Sequence, residues 1–148
     1  MMENIINELT RCLDDEIRIY KKILSLVTEE REILVRNEEL KLEEIVGRQN
    51  ELIKEINLYE NKRAGLLKQL AGKDKRSKSL RGRIDKMKSL ISGINEINNN
   101  NISLIEQGSS SIREFLRLII GNNGKNSYSR NGKVKISSSG SILLNKKI

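Results

Sequence analysis

The sequence has no proline, no histidine and no tryptophan, and it contains only one phenylalanine and one cysteine. Without proline, no residue in the chain is a strong helix breaker. Aromatic residues make up 3% of the chain and charged residues 32%, so a core filled mainly by aromatic side chains is not expected. Leu, Ile, Lys and Glu dominate instead, and this composition predicts long helices packed side by side in a single domain.

The missing residue types also exclude chemistry. Without histidine there is no imidazole for acid–base catalysis or for metal binding. Cys12 alone can form neither an intramolecular disulfide nor a thiolate cluster, and its apolar neighbours predict a buried structural thiol. We interpret the carboxylate pairs Asp14–Asp15, Glu29–Glu30 and Glu43–Glu44 as solvated helix positions. The glycines form no phosphate-binding motif, so we expect no enzyme activity, no cofactor and no metal site.

Neither a signal peptide nor a membrane span is recognisable, because no apolar run approaches about 18 residues. The sequence therefore predicts a soluble cytoplasmic protein. The net charge of +8 is concentrated in residues 71–90 and in residues 121–148. The second of these segments contains six lysines and arginines and no acidic residue. These cations are not interleaved with aromatic residues, so binding to nucleic acid or to another anionic surface is the weaker interpretation.

Apolar residues recur at steps of three and four in three segments, which predicts helices over residues 3–36, 39–70 and 78–120. Short connections make sequential helices antiparallel neighbours, so residues 1–120 should form an all-α, up-down-up, coiled-coil-like bundle with helix 3 the longest. The run from Asn98 to Asn101 is a poor helix former. The apolar pattern nevertheless resumes in phase beyond it, and we predict one continuous helix.

Two polar residues, Gln49 and Arg63, occupy positions in the apolar stripe of helix 2. They either fix the register of the helices or extend their polar ends to solvent at the edge of the contact.

Helix 3 is expected to outrun helix 1 by roughly ten residues at about 1.5 Å each. This overhang, residues 112–120, is the most apolar stretch of the chain, and a soluble protein seldom leaves such a patch bare. The tail, a second copy or a partner helix could cover it, or a shift in helix register could bury it internally. Just before it, residues 108–111 are small, which would allow a neighbouring helix to approach closely.

Residues 121–148 change character, since Gly, Asn, Ser and Lys dominate and the apolar periodicity stops. Such a segment buries too little surface to order itself, so we predict a flexible basic tail. It keeps Tyr128, a Val134–Ile136 pair and an Ile142–Leu144 run. Tyr128 either packs against the bundle or anchors the tail on a partner.

The chain resembles the FlgN-type flagellar type III export chaperones over nearly its full length. The resemblance is carried by the first helical hairpin, by residues 100–120 (NNISLIEQGSSSIREFLRLII), and by the tail segments YSRNGKVK and SILLNKKI. The polar run from Asn98 to Asn101 departs from the family pattern and leaves the extent of the client surface open.

The resemblance implies a chaperone that binds the C-terminal helices of hook–filament junction proteins, prevents their premature assembly and delivers them to the export gate. On this hypothesis the client contacts lie on helix 3, at Ile102, Ile105, Ile112, Phe115, Leu116 and Ile119. The cytosolic domain of the gate would contact the tail at Tyr128, Leu143 and Leu144. The chain is expected to be a monomer or weak homodimer, and the alternative is a self-associating coiled-coil structural or adaptor protein.

Overall fold

The computed structural model describes residues 2–70, 78–108, 112–115, 117 and 118. They form three long helices, α1 (Met2–Arg36), α2 (Leu42–Leu70) and α3 (Lys78–Gln107), with a short 3-10 helix at Glu39–Lys41. The predicted all-helical bundle is thereby confirmed. Residues 71–77 and the predicted tail lie outside the described residues. None of the helices described is both long enough and apolar enough to span a lipid bilayer.

A tight turn at Asn37 separates α1 from α2. Asn37 has a φ of 55°, in the left-handed region that asparagine tolerates better than most residues. The Asn37 N–H donates to the Leu34 carbonyl at 3.3 Å, and the Glu38 N–H donates to the Ile33 carbonyl at 3.0 Å. This pair of bonds is a Schellman motif, which satisfies carbonyl groups at the end of α1. The break predicted at Asn37 is confirmed.

Helix α1 packs against both of the other helices along its length. Its pairing with α2 is antiparallel, as the short turn requires. Its pairing with α3 is parallel, because Arg83 contacts Asp14 near the start of both helices and Asn101 contacts Glu30 near their ends. The main core lies between the three helices and consists of Leu9, Cys12, Leu13, Ile17, Ile19, Tyr20, Ile23, Val27, Ile53, Ile56, Leu66, Leu70, Leu80, Met87, Ile91 and Ile94.

A second, smaller apolar cluster lies at the end of the bundle that carries the Asn37 turn. We call it the turn-end cluster. Its buried members are Leu26, Ile33, Leu34, Leu42, Ile45, Val46, Ile105 and Ile112. Ile102, Leu104 and Phe115 are partly buried against it. The chain that follows α3 therefore packs back onto the hairpin.

Helix α3 ends at Gln107, which corrects the prediction of one continuous helix to residue 120. Gly108 lies in a bend, and its N–H bonds to the Ile105 carbonyl at 3.2 Å. A Cβ atom at this position would lie 2.8 Å from the Leu104 carbonyl oxygen, so only glycine fits the bend without strain. Helical structure returns in residues 112–115, 117 and 118. With 35 residues, α1 is longer than α3, which has 30.

Because of the bend, the start of the predicted overhang is buried. Ile112 is 2% exposed and Ile105 is 1% exposed, so both are internal and not on a bare surface. For these two residues the alternative of internal burial is the correct one. The physical reason is that Gly108 redirects the chain across the turn end, where Ile112 finds apolar partners. Leu116, Ile119 and Ile120 lie outside the described residues.

Candidate protein-interaction surface

Buried polar groups join α1 to α2 at two levels in the main core. The Arg63 Nε–H donates to both carboxylate oxygens of Glu16, at 3.1 and 3.0 Å. The Tyr20 hydroxyl donates to Glu60 Oε1 at 2.5 Å, and burial is the main cause that raises the pKa of Tyr20 above its usual range. Because Arg63 is buried, the interpretation that it extends to solvent is wrong. The interpretation that it fixes register stays a prediction.

Cys12 is buried in the main core, as predicted. Its thiol donates a hydrogen bond to the Tyr59 carbonyl at 3.2 Å. Burial, together with the nearby Glu16 carboxylate, raises the pKa of this thiol to about 11. A neutral buried thiol is a poor nucleophile, so its role is in packing.

A third group of buried polar side chains joins α1 to α3 close to the turn-end cluster, beside Gln49 of α2. Glu30 is buried, and its Oε1 accepts a hydrogen bond of 2.9 Å from Asn101 Nδ2, which also donates to the Val27 carbonyl at 3.0 Å. The Gln49 side chain lies close enough to favour the charged form of Glu30, but its Nε2 makes no hydrogen bond. The side-chain amides of Asn101 and Gln49 lower the pKa of Glu30, but burial has the larger effect and raises it to about 7. The interpretation of Glu30 as solvated is therefore wrong.

Exposed apolar side chains gather at the turn end of the bundle. In the described part of the chain, four large apolar side chains are exposed. Val35 and Leu40 flank the Asn37 turn, and Leu118 lies three residues after Phe115, which packs against the turn-end cluster. Leu58 lies at mid-length on α2. The partly buried Ile102 and Phe115 border the same cluster. We call Val35, Leu40, Ile102, Phe115 and Leu118 the turn-end surface.

The residues expected to contact a client have different positions. Ile102 and Phe115 reach the turn-end surface, while Ile105 and Ile112 support it from beneath as buried members of the turn-end cluster. Leu116 and Ile119 lie outside the described residues, as do the gate-docking residues Tyr128, Leu143 and Leu144. Sequence reasoning missed Val35 and Leu40, although an apolar residue in a Glu- and Lys-rich turn segment was a signal that could have found Leu40.

The arrangement offers surface contacts and no obvious chemistry. Among the described residues, no three His, Cys, Asp or Glu side chains are grouped as metal ligands. What the turn end provides is a set of exposed and partly buried apolar side chains beside a buried apolar cluster, and exposed apolar patches mark sites of protein–protein contact.

Comparison with known proteins identifies a family. No curated protein and no solved structure shows significant similarity to the chain. A family model described as FlgN protein matches residues 1–136, which includes all of the described helices and the beginning of the predicted tail. The chain therefore belongs to the FlgN family, a family of flagellar chaperones and not of enzymes.

Proposed function

We propose that this protein is a cytoplasmic export chaperone that binds the C-terminal helical segments of flagellar hook–filament junction proteins. It would prevent their premature assembly and deliver them to the export gate. Family membership supports the chaperone role. The observation that carries the client site is the turn-end surface, where Leu40 is 87% exposed and Val35 is 61% exposed.

The turn-end surface suits an amphipathic helix as its ligand. Such a helix presents apolar residues at steps of three and four, and it binds with this apolar face against a hydrophobic groove. Phe115 is the only phenylalanine of the chain and lies at the border of the turn-end cluster. A partly buried aromatic ring in this position is the type of residue that dominates binding energy.

Delivery to the gate is assigned to the tail. The family resemblance suggests contacts from Tyr128, Leu143 and Leu144, and an aromatic ring with one hydroxyl suits an interface anchor. The six cations of residues 121–148 would accelerate an encounter with an acidic surface. Client and gate would then bind to separate parts of the chain.

The client site is tested by charge insertion on the turn-end surface. Leu40→Asp and Phe115→Asp should each weaken binding of a purified client C-terminal segment by about 30-fold, since a hot-spot residue contributes about 2 kcal/mol. Leu58→Asp is the matched control, because Leu58 is 70% exposed on α2. Isothermal titration calorimetry gives the affinities. Unchanged affinity in both turn-end variants, or an equal loss in the control, would refute the assignment.

The same exposed patch could also seal a homodimer, which is the structural or adaptor alternative. Sedimentation equilibrium separates the two functions. A chaperone with a free turn-end surface sediments as a monomer or weak dimer. A tight dimer that dissociates in Leu40→Asp, but not in Leu58→Asp, would support the structural protein.

The gate contact has its own test. Tyr128→Ala should abolish binding to the cytosolic domain of the gate and leave client affinity unchanged, because the two interactions are assigned to different segments. A loss of client affinity in this variant would show that the tail helps to hold the client.

A further inference from the structure

A second surface lies between α1 and α2, away from the residues assigned to the client. It is an open groove of about 410 Å³. Leu26 and Leu52 supply its apolar lining; Leu26 is buried and Leu52 is half-buried. Leu26 also belongs to the turn-end cluster, so the groove adjoins that cluster.

The rim of this groove is acidic. Glu29, Glu51 and Glu55 line it, and none of them makes an ion pair with a described residue. Arg48 also lines the groove, but its guanidinium bonds to Glu44 at 2.7 Å. Lys22 is then the one lining cation that no described residue neutralises. Three carboxylates against Lys22 leave the lining with an excess of two negative charges. An apolar lining beneath this acidic rim calls for an occupant that is apolar and cationic.

We propose that this groove binds the C-terminal segment of the same chain, residues 141–148. Their sequence, SILLNKKI, places three consecutive apolar residues two positions before a pair of lysines. The apolar residues match Leu26 and Leu52, and the lysines match the carboxylates on the rim. Residues 121–148 contain no acidic side chain, so no side-chain carboxylate of the segment would be repelled by the rim.

The chain is long enough to make the contact. Leu118 is the last described residue, and Ile142 lies 24 positions further along the chain. A linker of this length spans about 25–30 Å on average. Ile112 already packs against the cluster that contains Leu26, so the linker starts near the groove. Covalent linkage raises the effective concentration of the segment to the millimolar range, which makes a modest intrinsic affinity sufficient.

The contact would make the groove and the export gate alternative partners for Leu143 and Leu144. This consequence depends on the proposed function, whereas the docking itself does not. The experiment below contains neither client nor gate, so its failure and a failure of the export role are distinguishable.

The test uses the full chain and disulfide trapping. Ser25 is exposed and lines the groove, and Ser89 is exposed on α3. The Ser25→Cys/Ser141→Cys protein is compared with the Ser89→Cys/Ser141→Cys control in a glutathione redox buffer. Cys12 stays in place because it is buried. We expect the intramolecular disulfide to form about tenfold faster in the groove pair, since docking raises the local concentration of the thiol.

Charge reversal tests whether the rim carboxylates contribute to docking of the C-terminal segment. Glu51→Lys with Glu55→Lys should reduce the groove rate to that of the control. The same change in charge on α3, Asp85→Lys with Glu96→Lys, should leave it unaltered. Equal rates in the two cysteine pairs, or no response to the rim reversal, would overturn the proposal. Disulfide-linked dimers in place of the internal bond would also overturn it, because they would assign the groove to the tail of a second copy.

A second measurement needs no added cysteine. Trypsin should cleave after Lys146 and Lys147 several-fold more slowly in the native protein than in the Glu51→Lys/Glu55→Lys variant, because a docked segment is protected in proportion to its closed fraction. Equal cleavage rates would contradict docking even if a cysteine variant failed to fold.

Discussion

Arg63 on α2 and Glu16 on α1 form a buried ion pair, with Nε 3.1 and 3.0 Å from the two carboxylate oxygens. The Glu16 side chain is fully buried and that of Arg63 is 11% exposed. Desolvating two charges is costly, so such a pair contributes more to the choice of one arrangement than to net stability. Sliding α2 by one helical turn would leave both charges buried without each other. We therefore expect the pair to hold the register of the α1–α2 hairpin.

The first prediction concerns this pair. Arg63→Met should lower the free energy of unfolding by about 3 kcal/mol, because it leaves the Glu16 carboxylate buried without its cation. The double variant Glu16→Leu/Arg63→Met should recover most of that loss, since no buried charge remains. Urea denaturation followed by circular dichroism measures both. A double variant as unstable as the single one would show that the pair stabilises the fold outright.

The second prediction concerns pH. Burial raises the pKa of Glu30 to about 7 from an ordinary value of 4.5, so the folded protein holds this proton more tightly than the unfolded chain. The contribution of the protonated Glu30 side chain to the free energy of unfolding is fully present below pH 4.5. It is lost as the pH rises through 7. Relative to a Glu30→Gln variant, the native protein should lose on the order of 3 kcal/mol between pH 4.5 and pH 8.

The Glu30→Gln comparison isolates this carboxyl from all others, because the remaining titrating groups are common to both proteins. The glutamine oxygen can still accept the Asn101 hydrogen bond, so packing should be retained. Denaturant midpoints at several pH values between 4.5 and 8 give the difference. If the stability difference between the two proteins does not vary with pH, Glu30 titrates normally and is not buried as described.

The third prediction concerns the bend after α3. Gly108→Ala should lower the melting temperature, because the added Cβ would lie 2.8 Å from the Leu104 carbonyl oxygen. Gly65→Ala is the matched control, since a Cβ there meets nothing within 4 Å and alanine favours a helix interior by about 0.5–1 kcal/mol. The two substitutions should thus shift the melt in opposite directions. A stabilising Gly108→Ala would mean that α3 continues straight.

The fourth prediction concerns Cys12. A thiol that is 1% exposed and has a pKa near 11 should react with a disulfide reagent only when the hairpin opens. Its labelling rate at pH 8 should therefore be orders of magnitude below that of the urea-unfolded chain and should rise as denaturant is added. Rapid labelling of the native protein would place Cys12 on the surface.

Local sequence patterns were sufficient to predict the three helices and their order, but not the end of the third. Apolar residues at steps of three and four, with no proline to interrupt them, specify amphipathic helices from local information alone. The break at Asn37 is local too, since asparagine accepts the left-handed conformation that the turn needs. The predicted starts and ends of the first two helices consequently agree with α1 and α2 to within a few residues.

Tertiary packing is needed to explain which polar residues are buried and where the chain turns after α3. Glu30 and Glu29 are adjacent in sequence, yet only Glu30 is enclosed by side chains that arrive from α2 and α3. The bend at Gly108 is favourable because Ile112 then reaches apolar partners on α1 and α2. Burial depends on residues distant along the chain, and the periodicity of a single helix contains no information about them.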